Sequence, residues 1–450
     1  MLSGPIVVFL PNFYVTSLGL SLGTVGLIFF CARLVDGASD LAVGLASDRT
    51  RTRWGRRLPW IAVAAPLLGL MIYLVCLPPR GAGPAYLVAC LISLYVAWTA
   101  VQIPYTAWGA AISRDYVERN RVFGFREGCT IVGSLLTVAL PFFVTGVPSP
   151  PLADVVRIVG LGAIVILFLT VPIAIIFGPP AHEPQTRSEA PIREIWALRR
   201  NRPFVRVMIL ALVATTALMI FTAGVLFLLN DALGLKAAFL QLIMVQQVAL
   251  FASVPLVVGA ANRVGKHTTL ALGFSGLIAG FVLLALLPGK LFVATAAVLA
   301  LVGCSAGAIF ILLPALAADS IDYGALLLGR GEAGLYMSVF SVVSKIATAL
   351  GVGLGLPLLQ AAGFDPAHGS ALSSRRAIDI VALGVPILLL TAAIVMAWSY
   401  PLDRRRHGVV VRRLAQLDAR AVDDDGLSRP RRQAPPDALV QTAAEIGSPT

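Results

Sequence analysis

Apolar runs of about 20 residues, the length needed to cross a bilayer, recur along almost the whole chain. Hydrophobic residues make up 58% of the sequence and charged residues only 13%, about half the share that is usual in soluble domains. The chain is therefore predicted to be an all-α membrane protein with many spans. Twelve spans are predicted, at 2–20, 22–46, 58–78, 85–111, 122–147, 155–178, 205–229, 237–260, 268–287, 291–317, 333–361 and 377–400.

The basic residues are concentrated in every second loop. When alternate loops and the tail are assigned to one side of the membrane, that side holds 26 of the 35 Lys and Arg residues and the other side holds 6. Basic loops face the cytoplasm in plasma and inner membranes, so both termini are predicted to be cytoplasmic. The net charge of +12 follows this topological pattern, which argues against nucleic acid as a partner.

The predicted spans fall into two groups of six. Residues 1–178 are predicted to form an N-terminal bundle and residues 205–400 a C-terminal bundle, with a cytoplasmic connector at 179–204 and a disordered cytoplasmic tail at 401–450. The turns GLASDRTRTRWGRR and GAANRVGKH stand at the equivalent second-to-third connection of the two halves. This weak echo favours a parallel six-helix repeat, as two-bundle transporters have.

Two carboxylates lie inside the second span. Asp36 and Asp40 are four residues apart and share a helix face, although one carboxylate in the middle of a bilayer costs about 2.5–3.5 kcal/mol on insertion scales. Ser39 and Thr99 offer hydroxyl oxygens, and Lys345 in span eleven is a candidate partner. Fixed salt bridges between helices are one reading, but buried ion pairs are poor stabilisers. We therefore expect a cation site, for Na⁺ at Asp36 and Asp40 or for a proton.

Opposite charges also stand at the predicted cytoplasmic ends of spans two, four and ten. Charges at the ends of neighbouring helices form a gate when they pair in one conformation and separate in the other. For any single residue, a solvated charge that only sets the topology is an equally good reading. Arg33, inside span two, needs a carboxylate partner and is grouped with these charges. The candidate gating residues are Arg33, Asp48, Arg49, Arg56, Arg119, Asp319, Asp322 and Arg330.

Three long motifs carry a family resemblance. They are ARLVDGASDLAVGLASDRTRTRWGRRLPWI around span two, IPYTAWGAAISRDYVERNRVFGFRE at 103–127 and LAADSIDYGALLLGRGEAGLYMSVFSVVSK at 316–345. In this order they resemble the glycoside–pentoside–hexuronide:cation symporter family, the melibiose-permease-like branch of the major facilitator superfamily. The resemblance runs from Val8 to about Pro401. It implies the major facilitator fold, with two six-helix bundles around a central cavity.

The resemblance also implies roles for individual residues in the cation site. The family's sodium-site residues match Asp36, Ser39, Asp40 and Thr99, with Ser39 in place of an Asn. The family's lysine near that site, in span eleven, matches Lys345.

The substrate side departs further from the family pattern. The family's sugar-contacting arginine matches Arg126. Gln102 stands where the family has an acidic sugar and coupling residue, and Thr106 stands where a Trp stacks on the sugar. The resemblance therefore implies that Gln102, Thr106, Arg126 and Lys345 bind substrate, with a specificity that differs from that for melibiose. Members of the family also have a longer first helix, so we expect a shortened first helix here. Either the true start is upstream of Met1, which we favour, or the chain is a short variant.

We expect a secondary active transporter in which Na⁺ or H⁺ drives symport of a glycoside or related polar solute. The alternatives are a symporter of lysolipids or other amphiphiles from the same branch, and a membrane scaffold that transports nothing. The spans contain no nucleophile–base constellation, so an enzyme is not expected. The expected partners are a small-molecule substrate, a monovalent coupling cation and membrane lipid, with no cofactor.

Overall fold

The computed structural model describes residues 3–50, 52, 57–79, 81–111, 116–147, 150–178, 198–328, 333–364 and 372–402, and positions 406, 408–410, 412–413 and 416. Within these residues the chain folds into helices joined by short turns, without a β-strand. The predicted all-α fold is therefore confirmed.

In the first half, six helices each overlap one predicted span. A serine N-cap begins the second of them, because the Ser21 hydroxyl accepts a hydrogen bond from the Thr24 amide, which satisfies one of the free N–H groups of a first helical turn. The six helices are α1 (Ser3–Thr16), α2 (Leu22–Arg49), α3 (Leu58–Cys76), α4 (Pro84–Ala111), α5 (Tyr116–Thr145) and α6 (Leu152–Phe177).

In the second half, some helices are interrupted where the predicted spans are continuous. The eighth span bends by 41° between two helices, next to Pro255 in the first turn of the second one, because proline removes an internal hydrogen bond. One π-helical segment, Leu228–Ala232, lies at the end of the seventh predicted span, and another, Asp379–Gly384, lies near the start of the twelfth. The helices are α7 (Arg202–Phe227), α8 (Phe239–Ala252), α9 (Val254–Val264), α10 (Lys266–Leu286), α11 (Phe292–Leu328), α12 (Ala333–Ala361), α13 (Leu372–Ile378) and α14 (Val385–Trp398).

Most of these helices suit a membrane. Among the described residues, nine helical segments are long and apolar enough to cross it, and ten if the bent pair counts as one span. α1 has 14 residues, fewer than the roughly 20 that a perpendicular crossing needs. Among the described residues of α5, the apolar segment found is Val132–Thr145. The count of twelve spans therefore remains a prediction.

The packing extends past the predicted end of the last span. Leu402 and Val410 are buried in the same apolar core as the helices. The part of the predicted tail beyond residue 416 lies outside the described residues, as does most of the predicted connector at 179–204.

The two halves meet along α2 and α12. α12 packs along α7 in its own half and along α2 in the other. Glycine permits the close approach: a Cβ on Gly26 would lie 2.6 Å from Pro357 Cδ, and one on Gly353 would lie 2.6 Å from Phe30 Cβ. Small residues allow helix backbones to approach closely in membranes, where van der Waals packing replaces the hydrophobic effect as the main force between helices.

A hydrogen bond closes this contact at its end. The Gly23 N–H donates to Gln360 Oε1 at 2.6 Å. Because Gly23 lies in the first turn of α2 and Gln360 in the last turn of α12, the contact seals one end of the interface. We call Gly23, Gly26, Gly353 and Gln360 the α2–α12 seam.

The close packing at the seam predicts that an added methyl group there lowers stability, and the chain offers a matched control. Gly353→Ala should weaken the closed interface by about 1–3 kcal/mol, the usual cost of overpacking, and lower the thermal midpoint in detergent. Gly37→Ala is the control, since a Cβ at Gly37 of α2 meets no other atom within 4 Å. Equal midpoints for the two variants would contradict a tightly closed seam.

A buried asparagine joins three helices at the opposite end of the second half. Asn201 Oδ1 accepts a hydrogen bond from the Phe204 amide at the start of α7. Its Nδ2 donates to the Ser320 carbonyl of α11 at 2.7 Å and to the Tyr336 hydroxyl of α12 at 3.2 Å. The Phe204 and Tyr336 rings stack edge to face beside it. This network holds the ends of α7, α11 and α12 together.

Removal of this side chain should destabilise the second half. Asn201→Ala removes the cap and leaves buried groups without partners, so we expect a loss of about 1–3 kcal/mol, measured as a lower thermal midpoint. Asn201→Ser keeps a cap oxygen but loses the amide donor and should fall between the alanine variant and the parent. If the serine variant is as unstable as the alanine variant, the cap contributes nothing.

Candidate functional site

The centre of the candidate site is a carboxylate with almost no solvent exposure. Asp36 lies on α2 and is 1% exposed. It accepts hydrogen bonds from Arg33 one turn earlier on α2, at 3.0 Å, and from the Thr99 hydroxyl of α4, at 2.9 Å. The Lys345 ammonium of α12 lies 3.3 Å from the Asp36 oxygen that faces Arg33. Three partners from three helices therefore hold this carboxylate.

The second carboxylate belongs to the same cluster. Thr99 Oγ1 lies 3.1 Å from Asp40 Oδ1, so one hydroxyl lies between both carboxylates, and its single proton serves one of them at a time. Lys345 Nζ donates to the other oxygen of Asp40. α2 and α4 belong to the first half and α12 to the second, so Lys345 joins the two halves at this point.

The cluster is neutral as a whole, because Arg33 and Lys345 balance Asp36 and Asp40. Two carboxylates this close repel each other strongly in a medium of low dielectric constant, so they need positive charge between them. The Tyr95 ring also contacts Arg33. The guanidinium carbon of Arg33 lies 4.9 Å from the centre of this ring, which is a cation–π distance. Lys345 is the more accessible of the two cations, with 25% of its side chain exposed against 19% for Arg33.

The donor set suits a hard monovalent cation. The four carboxylate oxygens and the Thr99 hydroxyl are oxygen ligands, the type that Na⁺-like and other hard cations prefer. The predicted ligand Ser39 donates its hydroxyl proton to the Asp36 backbone carbonyl at 2.8 Å. This hydrogen bond uses the hydroxyl proton, and a cation would bind to the oxygen lone pairs of Ser39.

Two predicted substrate residues follow Thr99 on α4. Thr106 donates back to the backbone carbonyls of Gln102 and Ile103, at 2.6 and 3.0 Å. Gln102 lies one turn beyond Thr99 and is half-buried. The backbone of Arg126 lies on α5, but its side chain lies outside what the structure describes.

The predicted gate is described only in part. Asp319 of α11 pairs with Lys266 at the start of α10, with Nζ 2.7 Å from each carboxylate oxygen. Asp322 lies one turn further along α11 and is half-buried. Arg56 and Arg330 lie outside the described residues, as do the side chains of Asp48 and Arg49 on α2 and of Arg119 on α5.

Several partners in these clusters do not follow from the sequence motifs. From the sequence alone, Lys266 is interpreted as a loop residue that sets topology. Gln360 is interpreted as one polar residue at the end of a span. Tyr95 stands in an aromatic-rich span, where its contact with Arg33 has no local signal. The pairs Gly23–Gln360 and Lys266–Asp319 join positions far apart in the sequence, which only the tertiary structure brings together.

Comparison with known proteins agrees with this architecture. The model of the family described as MFS/sugar transport protein matches residues 1–404. The glucuronide carrier protein homolog of Escherichia coli is 26% identical over 90% of this chain and 90% of its own length. The isoprimeverose transporter of Lactiplantibacillus pentosus is 25% identical, over 93% and 88%. The human sodium-dependent lysophosphatidylcholine symporter 1 is 23% identical, over 85% and 77%.

Solved structures show a similar fold. The nucleoside transporter NupG superposes with a TM-score of 0.63 at 14% sequence identity, covering 88% of this chain and 95% of that one. A proton-dependent oligopeptide transporter gives a TM-score of 0.62 at 14% identity, over 90% and 95%. Together with the helical architecture, these similarities confirm the predicted class of fold.

Proposed function

The chain belongs to the MFS/sugar transport protein family, and from this premise we propose that it is a secondary active transporter that couples Na⁺ or H⁺ to symport of a glycoside or related polar solute. The single observation that carries the coupling is the cluster of Asp36, Asp40 and Thr99 with Lys345 reaching in from the other half. Buried ionisable groups in a membrane are expensive and mark ion pathways. The symporter relatives support the same class of function.

The proposed coupling is a competition between Lys345 and the transported cation. Both are positive charges that satisfy the same two carboxylates. When a cation enters between Asp36 and Asp40, the Lys345 ammonium loses its partners, and the link between α2 and α12 is broken. The cation thus stabilises conformations in which the two halves have moved apart at this point.

Substrate enters the same cycle through linkage. A substrate that binds better to the cation-loaded conformation raises the protein's affinity for the cation. The cation raises the protein's affinity for the substrate by the same factor. The α2–α12 seam closes one end of the interface in the described conformation, so alternating access requires this seam to open. We place the protein in a plasma or inner membrane with both termini in the cytoplasm, on the basis of its basic loops.

A lysolipid or similar amphiphile is the second candidate substrate. It is favoured by the lysophosphatidylcholine symporter among the relatives and by Gln102 and Thr106 at positions where a sugar site has an acid and a Trp. Sugar is preferred, because two relatives named as carriers of glycosides cover more of the chain.

Uptake into proteoliposomes tests the proposal. Vesicles with the purified protein receive an inward Na⁺ gradient, an inward proton gradient or none, with radiolabelled methyl β-D-glucoside, isoprimeverose, a methyl glucuronide or lysophosphatidylcholine outside. We expect accumulation of a glycoside with one gradient and none after an ionophore removes that gradient. Accumulation of lysophosphatidylcholine alone would favour the second candidate, and no accumulation of any probe would contradict transport.

A further inference from the structure

The last spanning helix, α14, has an exposed apolar side. Leu388, Val395 and Trp398 are 72%, 67% and 73% exposed, and their spacing places them on one side of the helix. Lipid tails are as apolar as leucine, so this side suits contact with acyl chains. Trp398 lies in the last turn of α14, and tryptophan is enriched where acyl chains meet headgroups. The end of α14 therefore fits the headgroup level of the bilayer.

The beginning of α7 places two arginines at the same level. The structure describes α7 along its whole length, and its exposed side chains are Arg202, Arg206 and Ile209. Their spacing of four and three residues puts them on one face. No described carboxylate forms an ion pair with Arg202 or Arg206. This face therefore carries two uncompensated positive charges beside an apolar side chain.

A direct contact joins the two faces. α7 and α14 pack along each other, and the Arg206 guanidinium donates a hydrogen bond to the carbonyl of Ser399, the residue after Trp398. A guanidinium has five N–H donors, so Arg206 keeps donors for a further acceptor. The arginines of α7 and the exposed tryptophan of α14 thus belong to one continuous surface.

The chain after α14 adds a second basic face. It is helical at every described position from 406 to 416, and Val410 is buried in the apolar core of the protein. The exposed positions follow the i, i+3, i+4, i+7 spacing of one helix face. They are Val409, Arg412, Arg413 and Gln416. Basic residues beside an apolar one are typical of a helix at an anionic bilayer surface.

The chemistry of this surface favours a phospholipid with a net negative headgroup. Arginine binds phosphate oxygens through two parallel N–H donors, and the apolar side of α14 provides contact for acyl chains. A soluble anion would gain nothing from Ile209 and Trp398. A zwitterionic headgroup carries its own cation, which already compensates the phosphate, so it gains less from the arginines.

We propose that the beginning of α7, the end of α14 and the helix after it form a binding surface for an anionic phospholipid. Its phosphate binds Arg202 and Arg206, and its acyl chains lie along the apolar side of α14. Because Arg206 belongs to α7 and contacts the end of α14, the bound lipid bridges these two helices. The assignment needs a membrane-spanning chain and is independent of the substrate and of the coupling ion.

The test measures lipid binding to the full chain purified in detergent. Phosphatidylglycerol or phosphatidylcholine with the same acyl chains is titrated, and bound lipid is counted by native mass spectrometry. We expect the wild type to bind phosphatidylglycerol at least fivefold more tightly. Arg202→Gln and Arg206→Gln should each weaken this binding about fivefold, which is about 1 kcal/mol per arginine, and should leave binding of phosphatidylcholine within about twofold.

Arg157→Gln is the matched control. Arg157 is also exposed near the beginning of a spanning helix, α6, but is predicted to face the other side of the membrane. Its loss should leave both affinities within about twofold of the wild type. Arg206→Lys, which keeps the charge, should retain most of the preference for phosphatidylglycerol. An equal loss in Arg157→Gln and in the two α7 variants would overturn the assignment of the surface.

Folding and the source of the phosphate are checked separately. Arg202→Gln should keep the wild-type thermal midpoint without added lipid, and this variant decides the outcome if Arg206→Gln, which also loses its contact with Ser399, is less stable. Equal affinities of the wild type for the two lipids would overturn the proposal. Excess sn-glycerol 3-phosphate should not displace the lipid. Displacement by this soluble phosphate would show that acyl chains contribute nothing and would also overturn the proposal.

Discussion

Asp36→Asn is expected to abolish cation-driven accumulation. The substitution removes the negative charge that Arg33, Thr99 and Lys345 share, and it leaves Arg33 without a carboxylate partner. With one carboxylate instead of two, the site attracts a cation much less strongly, so the affinity for the coupling cation should fall by roughly 100-fold or more. The measurement is gradient-driven uptake into proteoliposomes with matched amounts of protein.

Asp154→Asn is the matched control for this variant. Asp154 is exposed in the first turn of α6, and its loss should leave uptake near the wild-type rate. If Asp36→Asn still accumulates substrate against its gradient, the carboxylate pair is a structural salt bridge, and the cation route lies elsewhere.

Lys345→Gln is expected to lose accumulation for a different reason. The variant keeps both carboxylates and Arg33, so the site carries a net negative charge and retains the coupling cation. The Lys345 ammonium, which replaces the cation at Asp36 and Asp40 after the cation leaves, is absent in this variant. The transporter without cation and substrate therefore returns less efficiently to the conformation that binds them. We expect net accumulation to fall by about tenfold or more, while exchange of labelled for unlabelled substrate, which needs no empty return step, continues.

Lys266→Gln is the control for this charge removal. Lys266 also forms an ion pair with an aspartate between helices, but both members lie in the second half and neither contacts the carboxylate cluster. Its loss should affect accumulation and exchange to the same degree. Equal losses of exchange and accumulation in Lys345→Gln would show that Lys345 supports the structure and has no separate role in the return step.

The helical fold could be predicted because the hydrophobic pattern dominates the sequence. The carboxylate cluster was also predictable in outline, since Asp36 and Asp40 in an apolar span require partners and Lys345 is a rare cation inside another span. The structure brings these three residues and Thr99 together. Their role in cation binding remains a prediction.

The remaining contacts depend on tertiary structure. Arg33 is grouped with the gate from sequence, yet it pairs with Asp36 three residues later on the same helix. Only its contact with the Tyr95 ring of α4 depends on tertiary structure. The seam has no local signal, since 41 glycines occur in the chain and only the approach of α2 to α12 distinguishes Gly26 and Gly353. The break between α8 and α9 falls inside a continuous apolar run, where its sequence signal is Pro255 and the periodicity gives none.

The central claim is that Lys345 and the coupling cation exclude each other at Asp36 and Asp40. The most direct test is the affinity of the purified wild type and of Lys345→Gln for the cation that drives uptake. Calorimetric titration with Na⁺ at fixed pH gives this affinity if Na⁺ is the driving ion, and proton-uptake titration without Na⁺ gives it if the proton is. Competition predicts that the variant binds the cation about tenfold more tightly or better. Equal or weaker binding in the variant would contradict the competition.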